Sequence, residues 1–134
     1  MIVVDVNVIA YLLIDGPRTR EAEELLRADT EWAAPLLWRS EWRNVLAGYL
    51  RRGTLDRAAV LECIDAAEEL VREREYLVDG ARVMELVAVS PCSAHDCEYV
   101  ALADTLGVPL LTYDRGVLDA FPDQATTPGA YLSR

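Results

Sequence analysis

Ile2-Val3-Val4-Asp5-Val6-Asn7 near the start of the chain and Leu110-Leu111-Thr112-Tyr113-Asp114 near its end share one pattern. Each is a short apolar run that meets a carboxylate. An apolar run with no polar alternation marks a strand buried on both faces, as in a parallel sheet. The β-branched Ile2, Val3 and Val4 favour the extended backbone. Trp32-Ala33-Ala34 reads as a third such strand. Helical segments fill the intervals. One follows the turn at Asp15-Gly16-Pro17, a second runs over 35–51, and a third, capped by Asp56, reaches about Arg74. A fourth covers 80–89. The next begins at Ser93 and stops at Gly107, and a short one over 116–120 precedes a tail containing Thr126 and Thr127. Strands alternating with helices predict an α/β fold, a three-layer α/β/α sandwich on a central parallel sheet. No repeat, low-complexity tract or linker interrupts residues 1–134, which predicts a single domain.

The composition narrows the chemistry. The chain has 134 residues, of which 52% are hydrophobic and 27% charged, as expected of a globular protein. Its 23 acids and 13 basic residues give a formal charge of −10, and every basic residue is an arginine. The absence of lysine excludes a Walker-type phosphate loop, Schiff-base chemistry and a lysine-assisted phosphoaspartate site. The acidic balance argues against gripping nucleic acid over a broad surface. No signal peptide opens the sequence, and no apolar run approaches the ~18 residues that span a bilayer. A cytoplasmic protein with no membrane partner is expected. Cys63, Cys92 and Cys97 cannot all pair. Cys92, His95 and Cys97 lie close together, but their spacing fits no familiar zinc pattern and no fourth ligand is evident.

Four carboxylates occupy positions where an apolar residue or a plain turn would be expected. Asp5 interrupts a core strand, although an Asp there also suits a helix N-cap. On the helix that follows Pro35, Trp38, Trp42, Val45, Leu46 and Tyr49 form one stripe at 100° per residue. Glu41 falls on its edge, while Arg39 and Arg43 are expected to face solvent. Asp96 shares a stripe with Tyr99, Val100, Ala103 and Leu106, and Ser93-Ala94-His95-Asp96 also matches a capping box. Asp114 ends the last strand, where strand-to-turn aspartates are common. Ligands of parallel sheets bind beyond the carboxyl ends of the strands, which is where Asp5 and Asp114 lie. Clustered carboxylates repel unless they share protons or bind cations. With no lysine available, a divalent cation is the natural counter-charge, and an oxygen-only donor set favours Mg2+ or Mn2+. Such ions polarise phosphates and stabilise leaving oxygens in hydrolysis. Asn7 and Thr112 are suited to orienting the acids or positioning water.

In order along the chain, Val3-Val4-Asp5-Val6-Asn7, Ser40-Glu41-Trp42-Arg43-Asn44-Val45-Leu46, the segment from Ser93 to Ala103 with Asp96 as its acid, and Leu110-Leu111-Thr112-Tyr113-Asp114 resemble the four motifs of the PIN-domain family. The likeness is greatest to its VapC-type toxins and covers essentially the whole chain. A histidine at position 95, where the family often has an aromatic such as Tyr, is a mild departure. The resemblance implies a Mg2+- or Mn2+-dependent endoribonuclease with Asp5, Glu41, Asp96 and Asp114 as metal-holding catalytic residues. It also implies a homodimer, silenced by a cognate antitoxin whose tail covers the acidic pocket. Asp119 is a possible outer acid, although a charge on a terminal helix is usually solvated.

Three other functions compete. An aspartyl-phosphate phosphatase places acids at strand ends too, but here its Asp-x-Asp opening reads Asp5-Val6-Asn7 and its lysine is absent. A receiver-like signalling domain needs the same missing lysine and paired early acids. A catalytically silent interaction module stays open. Residues 39–52 carry four arginines against Glu41 alone, a stretch suited either to guiding RNA or to an ordinary solvated helix face. Without the four proposed ligands, 19 acids still face 13 arginines, and the excess concentrates in residues 56–79 with eight acids and three arginines.

Overall fold

Val3 sits mid-sheet. A computed structural model describes residues 1–134. In it, β1 (Ile2–Val4) pairs in parallel with β2 (Trp32–Pro35) on one side and with β4 (Leu110–Leu111) on the other. The outer strands are β3 (Glu75–Tyr76) against β2 and β5 (Ala125–Thr126) against β4, giving the all-parallel order β3-β2-β1-β4-β5. All residues of β1, β2 and β4 are buried, which explains their lack of polar alternation.

Seven helices connect the strands, α1 (Val6–Leu13), α2 (Thr19–Ala28), α3 (Trp38–Arg51), α4 (Arg57–Leu70), α5 (Gly80–Ala88), α6 (Ala94–Leu106) and α7 (Arg115–Ala120), and an eighth, α8 (Pro128–Leu132), follows β5. Helix α6 packs on β1, β2 and β4 and carries α5. Helix α1 contacts α2, α3 and α4, while α8 packs on α2. This is the expected three-layer α/β/α arrangement. Trp32, Trp38 and Trp42 are all buried, so these tryptophans build the core and leave no aromatic surface.

Several boundaries differ from the sequence expectation, each for a visible reason. Pro35 closes β2 and does not open α3, because the next N–H, that of Leu36, still donates to Tyr76 O of the neighbouring strand at 3.0 Å. Helix α4 stops at Leu70, short of Arg74. The Arg74 guanidinium turns back to donate to Leu70 O at 3.0 Å and Trp32 O at 3.1 Å, so it caps the helix and ties it to β2. Glu73 adopts φ 65° at this reversal, and the chain then enters β3. The tail after Phe121 also folds, forming β5 and α8. Gly107, as expected, ends α6, in the left-handed region at φ 67°.

Arg39 departs from its expected solvent position. Its guanidinium takes both oxygens of Glu75, at 2.6 and 2.9 Å, and Glu68 Oε1 at 2.5 Å. Trp38 Nε1 donates to the same Glu75 at 2.6 Å. The start of α3 is thereby strapped to α4 and to the edge strand β3. Hydrogen bonding from Arg39 is the main cause that holds the Glu75 carboxyl below its ordinary range. A carboxylate depressed by folding stabilises the protein above its unfolded pKa, and the contribution is lost as pH falls through the folded value. Glu75→Gln should therefore destabilise by about 1 kcal/mol near neutrality, a figure kept small because Arg39 remains 37% exposed. The deficit should shrink on acidification below the usual glutamate range. Paired urea melts at pH 7 and pH 3 measure it, and a constant deficit would show that the ion pair contributes nothing.

Candidate active site

The four acids come together through four helix starts. Asp5 caps α1, its Oδ1 accepting from the Asn7 N–H at 3.3 Å. Asp114 caps α7, its Oδ1 accepting from the Val117 N–H at 3.0 Å. Glu41 and Asp96 lie in the first turns of α3 and α6. Unpaired N–H groups make a helix start partially positive, which eases the mutual repulsion of acids gathered there. Capping and clustering are therefore compatible. In the Ser93 box only one bond forms: Ser93 Oγ accepts from the Asp96 N–H at 3.1 Å, and the Asp96 carboxylate remains uncommitted.

Thr112 is the hub of the arrangement and is buried, at 1% exposure. Its hydroxyl donates to Asp5 Oδ2 at 2.8 Å and accepts from the Asp114 N–H at 3.0 Å. One side chain thus sets the two strand-end acids relative to each other. The Asp5 N–H reinforces this by donating to Leu111 O at 3.0 Å across the β1–β4 pair. Asn7 contributes its backbone N–H to Asp5 while its side chain is exposed. Gly116 leaves room beside the site, since a Cβ there would come within 3.2 Å of Asp114 Oδ1.

Burial raises the pKa of Asp5 above the aspartate norm; its bonds from Thr112 and Asn7 oppose that shift, and the charges of Asp96 and Asp114 add to it. Glu41 is raised for the same first reason; a bond from Tyr99 opposes the shift, Asp5 and Asp96 add to it, and the imidazole of His95 offsets it. Asp5 and Glu41 each feel the charge of Asp96, which joins the two helix-borne acids to the strand-end pair. His95 is exposed beside them, and Asp119 is exposed on α7 with no bond tying it to the four.

Two features escaped the sequence reading. Tyr99, placed on an apolar stripe, donates its hydroxyl to Glu41 Oε1 at 2.6 Å. Nothing in the helical period distinguishes such a tyrosine from a phenylalanine. Next to Asp114, Tyr113 donates to Glu21, and the Arg18 guanidinium lies 3.8 Å from its ring centroid. Tyr113 also meets Tyr11 edge-on.

The donor set is carboxylate oxygen with one imidazole at its rim. As they are placed, no three Asp, Glu, His or Cys side chains stand together closely enough to hold a metal ion among them. An open group of this kind fits Mg2+ or Mn2+, which are held by one or two carboxylates and otherwise keep their waters. Asp5 and Glu41, desolvated and facing like charge, gain most from a shared cation. The residues therefore fit a hard divalent ion. The largest cavity, about 410 Å³, lies elsewhere, between Pro109, Gln124 and Tyr131 at the amino ends of β4 and β5.

Fold and site together define an α/β protein with a carboxylate centre at the carboxyl edge of a parallel sheet. The chain belongs to the PIN domain family, whose model matches residues 2–122. It is 30% identical over 128 residues to Ribonuclease VapC3 of Pyrobaculum aerophilum, covering 93% of this chain and 98% of that protein. FitAcB from Neisseria gonorrhoeae has the same fold, with a TM-score of 0.76 and 18% identity over 96% of this chain and 99% of the other. So does a chain of a toxin–antitoxin complex from Klebsiella pneumoniae, with a TM-score of 0.66 and 18% identity over 96% and 98%.

Proposed function

We propose that the protein is a Mg2+- or Mn2+-dependent endoribonuclease, the toxin of a type II toxin–antitoxin pair. The observation that carries this reading is the hydroxyl of Thr112 joining the Asp5 carboxylate to the Asp114 backbone N–H, with Asp5 feeling the charges of both Asp96 and Asp114 and Glu41 those of Asp5 and Asp96. Membership of the PIN family and the ribonuclease relative support the reaction class. Asp5, Glu41, Asp96 and Asp114 are the metal-holding catalytic residues, Thr112 fixes Asp5, and Asn7 contributes through its backbone. A bound divalent ion supplies the positive charge that polarises the scissile phosphate and stabilises the leaving oxygen.

The chain's own groups do the rest. Capping bonds fix Asp5 and Asp114, and the Tyr99 hydroxyl fixes Glu41, before substrate arrives, so little reorganisation of these acids accompanies reaction. Arg18, stacked on Tyr113, and Arg115, next to Asp114, are exposed cations placed to meet phosphates flanking the cut. The charge of −10 confines RNA to this one place and suits an antitoxin with a basic tail. Residues 1–134 form one domain, and the protein is a cytoplasmic homodimer. No helix is long and apolar enough to cross a membrane.

The test is incubation of the purified protein with structured RNA in Mn2+, in Mg2+ and in excess EDTA. Internal cleavage that requires the ion is expected. RNA left intact by a folded protein in both metals would favour the silent interaction module instead.

A further inference from the structure

We infer that Tyr99 is a positioning residue, whose buried hydroxyl keeps Glu41 turned toward the side of Asp5 and Asp96, where it can contribute to holding a divalent cation. The inference rests on the metal-site reading above and adds to it a residue that never touches metal or RNA.

Tyr99 lies one turn beyond Asp96 on α6, so the helix presents both residues on one side. The ring is 4% exposed and packed in the core. Its O–H donates to Glu41 Oε1 at 2.6 Å, a bond from α6 to α3 between residues 58 positions apart. A tyrosine has one proton to donate, and a buried one needs an acceptor. Here the acceptor is one of the four acids. A tyrosine hydroxyl keeps its proton near neutrality, so it acts here as the donor.

Glu41 needs such a restraint. It is half-buried on a helix edge and is repelled by Asp5 and Asp96. A glutamate in that position relieves both costs by swinging its carboxylate out to water. The Tyr99 bond opposes this while engaging only Oε1, which leaves Oε2 for a cation. Thr112 does the corresponding work for Asp5. Each of the two desolvated acids is thus pinned by a buried hydroxyl from a different element, and a phenylalanine at 99 would fill the same space without that restraint.

The experiment titrates Mn2+ calorimetrically into the full chain and into Tyr99→Phe, Glu41→Gln and the double variant, with a metal-free thermal melt of each. Loss of the hydroxyl should weaken Mn2+ binding by about 10-fold, the scale on which partners of metal ligands act. The metal-free melt should move little. Adding Tyr99→Phe to Glu41→Gln should weaken binding no further, because Tyr99 acts through Glu41. Native Mn2+ affinity in folded Tyr99→Phe, alongside weakened Glu41→Gln, overturns the role of Tyr99 alone. Native affinity in Glu41→Gln, or no Mn2+ binding by the unmodified protein, overturns the metal-site reading and this inference with it. If Tyr99→Phe fails to fold by itself, the double variant, in which a neutral amide replaces the carboxylate left without its donor, decides. Equal affinity to Glu41→Gln supports the role, and a further loss overturns it.

Discussion

Asp96→Asn should lower metal-dependent RNA cleavage by about 100- to 1,000-fold, the scale for removing one preorganised group from a charged transition state. The fold should be unaffected. The bond that starts α6 joins Ser93 Oγ to the Asp96 backbone N–H, which asparagine retains, and the carboxylate itself holds no part of the structure. Its negative charge raises the proton affinity of both Asp5 and Glu41, so neutralising it relieves repulsion in the metal-free protein. Cleavage rates in Mn2+ set beside the metal-free melting temperature give the comparison. The expected signature is lost activity with equal or higher melting temperature. A folded Asp96→Asn protein cleaving at the native rate would remove Asp96 from the site.

The largest loss of stability is expected at Trp38. Trp38→Ala should cost about 3–5 kcal/mol, the range for truncating a buried aromatic ring. The side chain is 1% exposed, and its indole N–H also binds Glu75. Removing it empties core volume and takes a donor from the carboxylate that straps α3 to β3. Glu41 follows one turn later on α3, so cleavage should fall in addition to stability. Urea denaturation measures the effect, with Trp38→Phe as the milder control that keeps most of the volume. A loss below about 1 kcal/mol for Trp38→Ala, within the range of surface substitutions and near-neutral changes, would mean that α3 is not seated through this residue.

The legible parts of the molecule were those in which a local pattern and its tertiary use coincide. β1 and β4 could be read because an apolar run buried on both faces looks the same in sequence and in space, and the acid ending each run marks the strand's carboxyl end. β3 and β5 could not be read. Two residues carry no period, and Glu75–Tyr76 and Ala125–Thr126 are extended only because β2 and β4 offer them hydrogen-bond partners. The same limit applies to side chains. Helical periodicity gives the direction of Arg39 from its own axis, but its partners lie 29 and 36 positions away, on elements whose placement that period does not contain. Asp5 carried two readings, cap and functional acid, and Asp114 carried two others, strand-to-turn residue and functional acid; in the structure each side chain is held as a helix cap. Tyr99 was hidden for the opposite reason, since its ring fits the apolar stripe and only the hydroxyl has a separate task.

The bond from Thr112 to Asp5 spans 107 positions of the chain. During synthesis the first acid therefore emerges long before the hydroxyl that orients it, and Asp114 follows later still. Contacts of such separation form only after the intervening loop has closed, when most of the sheet is already in place. A ribosome-bound fragment that stops before β4 holds Asp5, Glu41 and Asp96 but lacks the strand that aligns them. A nuclease site built in this order gains its aligned acids only once β4 and Thr112 have emerged and docked beside β1.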